Sequence, residues 1–183
     1  QDVLKVGNVL LLMAIPMTAL MIAQFYSPQS AWVNRGIGGD TEGAGFSGAL
    51  GYFRPPGTFS FILGLTQFYG IAACFIVYFW FNQHLTNRLV LILATLGLIA
   101  AIPYSISRTL LYQTVLTLLF MVFAALFKPK YVPKIIFGFA GTILLFVVLG
   151  STGLLSTPLE AFTSRFEGAT NIEGGVGGTI IDR

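Results

Sequence analysis

This 183-residue sequence has little charge: ten lysines and arginines and seven acids make up 9% of it, against roughly 25% in an ordinary soluble domain. So few charges cannot cover a soluble globule of this size, and with 55% hydrophobic residues the disordered, collagen-like and coiled-coil classes are excluded as well. Cysteine is nearly absent. Cys74 stands alone in an apolar run, so there is no intrachain disulfide, no CxxC pair and no zinc framework. Histidine is equally scarce: His84 is the one copy, and it falls in a polar turn that reads as solvated loop. A nucleic-acid partner is not expected. The chain opens on Gln1 and closes on Arg183 in an unfinished polar stretch, as expected of a segment of a longer protein.

What the sequence does have is long apolar runs, and a mean hydropathy of +0.81 points to lipid as the surrounding solvent. Crossing a bilayer takes about 20 residues at 1.5 Å each. Residues 6–26, 58–81 and 135–155 hold no Lys, Arg, Asp, Glu or His. Residues 89–127 are apolar apart from Arg108 and, as one helix, would measure about 58 Å, far beyond the hydrocarbon thickness. They must fold back, and Pro103 followed by Tyr104-Ser105-Ile106-Ser107-Arg108 supplies the break, giving spans 89–106 and 109–127. The expected fold is all-α: a polytopic integral membrane helix bundle of about five transmembrane helices over residues 1–155, plus a short interfacial helix. A loop over 27–57 and the start of a large loop over 156–183 complete it. Aromatics at Tyr26, Tyr52, Phe53, Tyr78 to Phe81, Tyr104 and Tyr131 fit the two interfaces.

Alternation sorts the loops onto two faces. All four lysines (Lys5, Lys128, Lys130, Lys134) fall on one, while Arg35, Arg54, Arg108, Arg165 and Arg183 fall on the other with Asp40, Glu42, Glu160, Glu167, Glu173 and Asp182. The compact lysine cluster suits anionic lipid, which places that face in the cytoplasm and the arginine face outside. Two long polar segments on the outer face put the chemistry there.

Arg54-Pro55-Pro56-Gly57-Thr58-Phe59 opens the second helix, with two prolines stiffening the entry and Thr58 suited to cap it. Ser107 and Arg108 open the fourth helix in the same way. A helix N-terminus beside a forked guanidinium suits phosphate oxygens, so Arg54, Thr58, Ser107 and Arg108 are candidate anion ligands. In the tail, Thr157-Pro158-Leu159-Glu160 reads as a capping box for a helix that ends at Gly168 and carries Arg165. The glycine-rich stretch 36–51 reads as a mobile lid or a linker. Gly174 to Gly178 lacks the strand and helix of a nucleotide loop, and no set of carboxylates converges on a metal.

These residues resemble the O-antigen ligase and polymerase superfamily of bacterial surface-polysaccharide assembly. Arg54 ahead of Gly57-Thr58-Phe59, then Ser105-Ile106-Ser107-Arg108, are similar to its two short motifs, and Phe162-Thr163-Ser164-Arg165-Phe166 with Glu173-Gly174-Gly175 is similar to the start of its periplasmic loop. The resemblance runs from about Gly51 onward. It implies a multi-pass inner-membrane enzyme that transfers a glycan from undecaprenyl diphosphate to an acceptor hydroxyl, on a growing glycan or on lipid A-core, with no metal or nucleotide cofactor. By that resemblance Arg54 and Arg108 bind the diphosphate, and Arg165 follows. The general base is then expected beyond Arg183, so the segment alone would be inactive. The competing expectation is a transporter or flippase fragment that binds an anionic lipid-linked substrate between helices, though ionisable groups near mid-membrane, which that machinery favours, are missing from the spans.

Overall fold

The computed structural model describes residues 2–34, 46–127, 132–133, 138, 141, 153 and 155–173, with the backbone alone described at 46–47, 124–126 and 166–173. The described chain is mostly helical. Helix α1 spans Asp2–Tyr26, a hairpin of β1 (Phe46–Ala49) and β2 (Tyr52–Arg54) follows, and then come α2 (Ile62–Phe81), α3 (Arg88–Tyr104), α4 (Arg108–Leu126) and α5 (Ser156–Glu173). Helices α1 and α2 are long and apolar enough to cross a membrane, with mean hydropathies of 2.1 and 1.8; α3 and α4 are shorter apolar helices. The expected fifth span, 135–155, lies almost wholly outside the described residues, as do Arg35, Lys128, Lys130, Lys134, Asp182, Arg183 and the glycines 174–178.

Helix α1 packs against α2 and α3, α4 packs against α2, and α5 lies against α3 and β1. Their shared core holds Leu11, Ala14 and Met21 of α1, Leu65, Tyr69 and Phe79 of α2, and Leu91, Ala94 and Ala101 of α3. Small residues let α1 and α3 approach closely: a Cβ at Gly97 would stand 2.7 Å from Thr18 Oγ1. At that crossing the Thr18 and Tyr69 hydroxyls lie 2.7 Å apart, and Thr18 donates to the Ala14 carbonyl at 2.8 Å, so a polar tie sits inside the apolar core with its groups satisfied. The outer faces keep large apolar side chains exposed, among them Leu12, Leu63, Leu116, Phe120 and Phe123.

Four expectations change. Helix α2 starts at Ile62 behind Phe61, which makes no side-chain cap, so Thr58 is not its N-cap. The reason lies in the preceding turn: Gly57 takes φ +66°, and the Phe59 N–H bonds back to the Pro56 carbonyl at 3.2 Å, which uses up the chain before a helix can begin. Helix α3 runs through Pro103 to Tyr104, and the reversal falls on Ser105-Ile106-Ser107, with Ile106 at φ 46°. Of the glycine-rich stretch 36–51, residues 36–45 lie outside the described residues and 46–51 belong to a paired hairpin rather than a linker, its register from Phe46 to Arg54 broken by an irregularity between Ser47 and Ala49. Helix α5 starts at Ser156, ahead of Thr157, and passes through Gly168 to Glu173.

The close crossing at Gly97 gives a direct test. Gly97→Ala should push Thr18 away and lower stability by about 1–3 kcal/mol, read as a fall of several degrees in the thermal unfolding of the full-length protein in detergent. An unchanged midpoint would contradict the crossing.

Candidate functional site

The arginine site is built where the hairpin sits on the reversal between α3 and α4. Gly48 of β1 faces that turn so closely that a Cβ there would stand 2.9 Å from Ile106 Cδ1 and would collide with the Tyr52 carbonyl oxygen. Ile106 is fully buried between Ser105 and Ser107, each 0% exposed. A β-branched residue at positive φ is strained by about 1–3 kcal/mol and persists only where its surroundings hold it. Here the strain turns the isoleucine into a peg under the hairpin, and Arg108 begins α4 two residues later.

Each of the three arginines is fixed by a different device. Arg54 ends β2, opposite Phe46 in the ladder. Arg108 opens α4, whose first turn is capped by Ser107 Oγ accepting the Leu110 N–H at 3.4 Å. Arg165 comes from α5, which is anchored by buried Ala161 and Phe162, and its Nη1 donates to the Gly48 carbonyl at 2.9 Å. Burial first, then the fields of Arg165 and Arg108, push the Arg54 guanidinium below its usual value. Arg165 and Arg108 thus both lie within electrostatic reach of Arg54. Among the described residues, the buried Arg54 Nε finds no acceptor. An unmade donor in a cluster of like charges is a costly arrangement that a multivalent anion would relieve.

The remaining candidates play other parts. Ser107 serves from beneath, as a fully buried cap that a ligand cannot touch. Thr58 is exposed, with its hydroxyl 3.9 Å from Met17 Sδ, and no described contact joins it to the arginines. Under the hairpin, the Phe25 ring stacks on Tyr52 with centroids 4.6 Å apart, and Tyr104 meets Phe25 edge-on at 5.2 Å. This aromatic layer ties the ends of α1 and α3 to β2.

Sequence reasoning missed two contributors. Gln24, at 6% exposure, bonds the Gly57 backbone. Its signal was visible: it is an amide inside the apolar run 6–26, and polar groups there are rarely idle. Gly48 had no signal, being one glycine among many. Among the described residues no group of three or more His, Cys, Asp or Glu gathers to hold a metal. Comparisons with family models, with curated proteins and with solved structures gave no match.

The depressed Arg54 value carries a sign. A cation whose folded-state pKa lies below its unfolded value costs stability wherever it remains charged, and an arginine remains charged throughout the neutral range. The cost fades only as pH rises through the lowered value. Inorganic pyrophosphate should therefore raise the melting temperature of the full-length protein at pH 7 more than orthophosphate does at equal ionic strength, and R54Q should abolish the difference. Equal shifts from both anions in the wild type would contradict a multivalent-anion site.

Proposed function

We propose that this chain is part of a membrane glycosyltransferase of the O-antigen ligase or polymerase type, which transfers a glycan from undecaprenyl diphosphate to an acceptor hydroxyl. The observation that carries this reading is that Arg108 and Arg165 both act on Arg54, whose buried Nε lacks an acceptor among the described residues. Planar guanidinium forks match phosphate oxygens better than ammonium groups do, and three of them suit a diphosphate.

The chemistry follows from that charge. The bond between the sugar's anomeric carbon and the phosphate oxygen breaks, and the diphosphate leaves with the electron pair. The acceptor oxygen forms the new bond and surrenders its proton to a base. Preorganised cations lower the barrier by stabilising the negative charge that grows on the leaving group. No metal or nucleotide is needed for this step. Glu160 is a carboxylate of α5 on the same side, but it is exposed, and the base is expected outside this segment.

The apolar outer faces of α1, α2 and α4 suit a membrane, and in this reading the chain belongs to a multi-pass bundle of the bacterial inner membrane. In this reading the arginine face is periplasmic and the lysine loops are cytoplasmic. The donor's isoprenoid chain would lie in the bilayer, with its diphosphate at the arginines and its glycan in the periplasm, beside the acceptor glycan or lipid A-core.

Replacing Arg54 or Arg108 with lysine in the full-length protein should cut polysaccharide polymerisation or ligation at least about tenfold, because a point charge replaces a bidentate donor. Surface polysaccharide on gels, at matched protein level, checks this. Normal amount and length in both variants would remove the proposed diphosphate role.

A further inference from the structure

We infer that Gln24 is a positioning residue for the arginine site, setting Arg54 through the backbone of Gly57; this rests on the anion-site reading above. The Gln24 amide behaves as an inserted peptide unit. Its Oε1 accepts the Gly57 N–H at 2.9 Å, and its Nε2 donates to the Gly57 carbonyl at 2.9 Å. The second Nε2 hydrogen goes to the Val33 carbonyl, also at 2.9 Å. All the donors of the amide are used, so its plane is fixed, and it fixes the planes of both peptide groups at Gly57.

The hold reaches Arg54 because the intervening chain is stiff. Pro55 and Pro56 are buried, and their rings lock φ, so rotation between Gly57 and Arg54 is largely confined to ψ. Gly57 has no freedom of its own: at φ +66° it fits tightly enough that a Cβ would stand 2.7 Å from Met17 Sδ and 2.9 Å from Leu65 Cδ1. Arg54 is thus set from two directions, by the β1 ladder on one side and by α1 on the other. Neither alone fixes a guanidinium against two repelling neighbours.

The other face of the clamp is equally determined. Asn34 Nδ2 is shared among the carbonyls of Gln24, Ser27 and Pro28 at 3.0–3.1 Å, which occupies acceptors left open at the end of α1. The turn that carries Val33 is therefore held to α1 as well. Gln24 joins three segments through one amide: the last turn of α1, the Trp32–Asn34 turn and the Arg54-Pro55-Pro56-Gly57 entry to α2.

A residue that only stabilises the fold would lower melting temperature without changing what the folded fraction binds. A positioning residue changes both. The test uses the full-length protein in detergent with farnesyl diphosphate and farnesyl monophosphate as probes, and compares Q24L, R54A and T18V. Thr18→Val removes the hydroxyl pair with Tyr69 in the middle of the bundle and serves as a destabilised control. Q24L should weaken farnesyl diphosphate binding about tenfold, as loss of one charge-assisted hydrogen bond does, and should erase the preference over the monophosphate; T18V should leave both unchanged. Affinity within threefold of wild type in Q24L, with R54A strongly impaired, overturns the Gln24 inference and leaves the anion site standing. Unchanged affinity in R54A overturns the anion site itself. Where Q24L does not accumulate, Q24E keeps the side-chain length and the bond from the Gly57 N–H but donates nothing; wild-type affinity and selectivity in Q24E likewise overturn the inference.

Discussion

The repulsion that Arg165 and Arg108 exert on the partly buried Arg54 is the constraint around which the hairpin end of this structure is arranged. At close range in a partly buried setting, like charges cost far more than they do in water, and flexible side chains would relax the cost by swinging apart. They are kept together by backbone devices: a ladder pair for Arg54, a capped first turn for Arg108 and a carbonyl acceptor for Arg165. The energy needed to hold them comes from the apolar core below, where α1, α2 and α3 bury large side chains against one another.

The hairpin is the hub of these devices. One strand carries Arg54, the other offers the Gly48 carbonyl to Arg165, and the face of Gly48 rests on Ile106, two residues ahead of Arg108. The glycine is required by contact, because a side chain there would meet Tyr52 and Ile106. The positive φ at Ile106 is explained by the same contact, since only a tight reversal delivers the isoleucine to the hairpin and Arg108 to the start of a helix. A short strand pair in an otherwise helical chain thus has a specific task.

The four apolar helices were legible because each is a long apolar run bounded by polar residues, a pattern that depends on local sequence alone. The cap at Ser107 was legible for the same reason. Thr58 misled: a hydroxyl after two prolines and a glycine looks like a cap, yet the Gly57 geometry that delays the helix is imposed by Gln24, 33 positions away. The hairpin could not be read at all, because its pairing is secured by contacts with Ile106 and Arg165 and little alternation marks its strands. Arginine convergence was half visible. Arg54 and Arg108 announced themselves by position, but the arrival of Arg165 depends on how α5 lies against α3 and β1, which no local pattern encodes.

The bond between Arg165 and Gly48 spans 117 positions of chain. At ribosomal rates of about 5–20 residues per second, the hairpin would be made on the order of ten seconds before the arginine that completes the cluster. Arg108 follows Arg54 by 54 residues and precedes Arg165 by 57, so only in the second half of that interval are both made with α5 still unmade, and the Gly48 carbonyl has yet to meet its donor. The arrangement of the three arginines is therefore completed late, after helices α1 to α4 have been made.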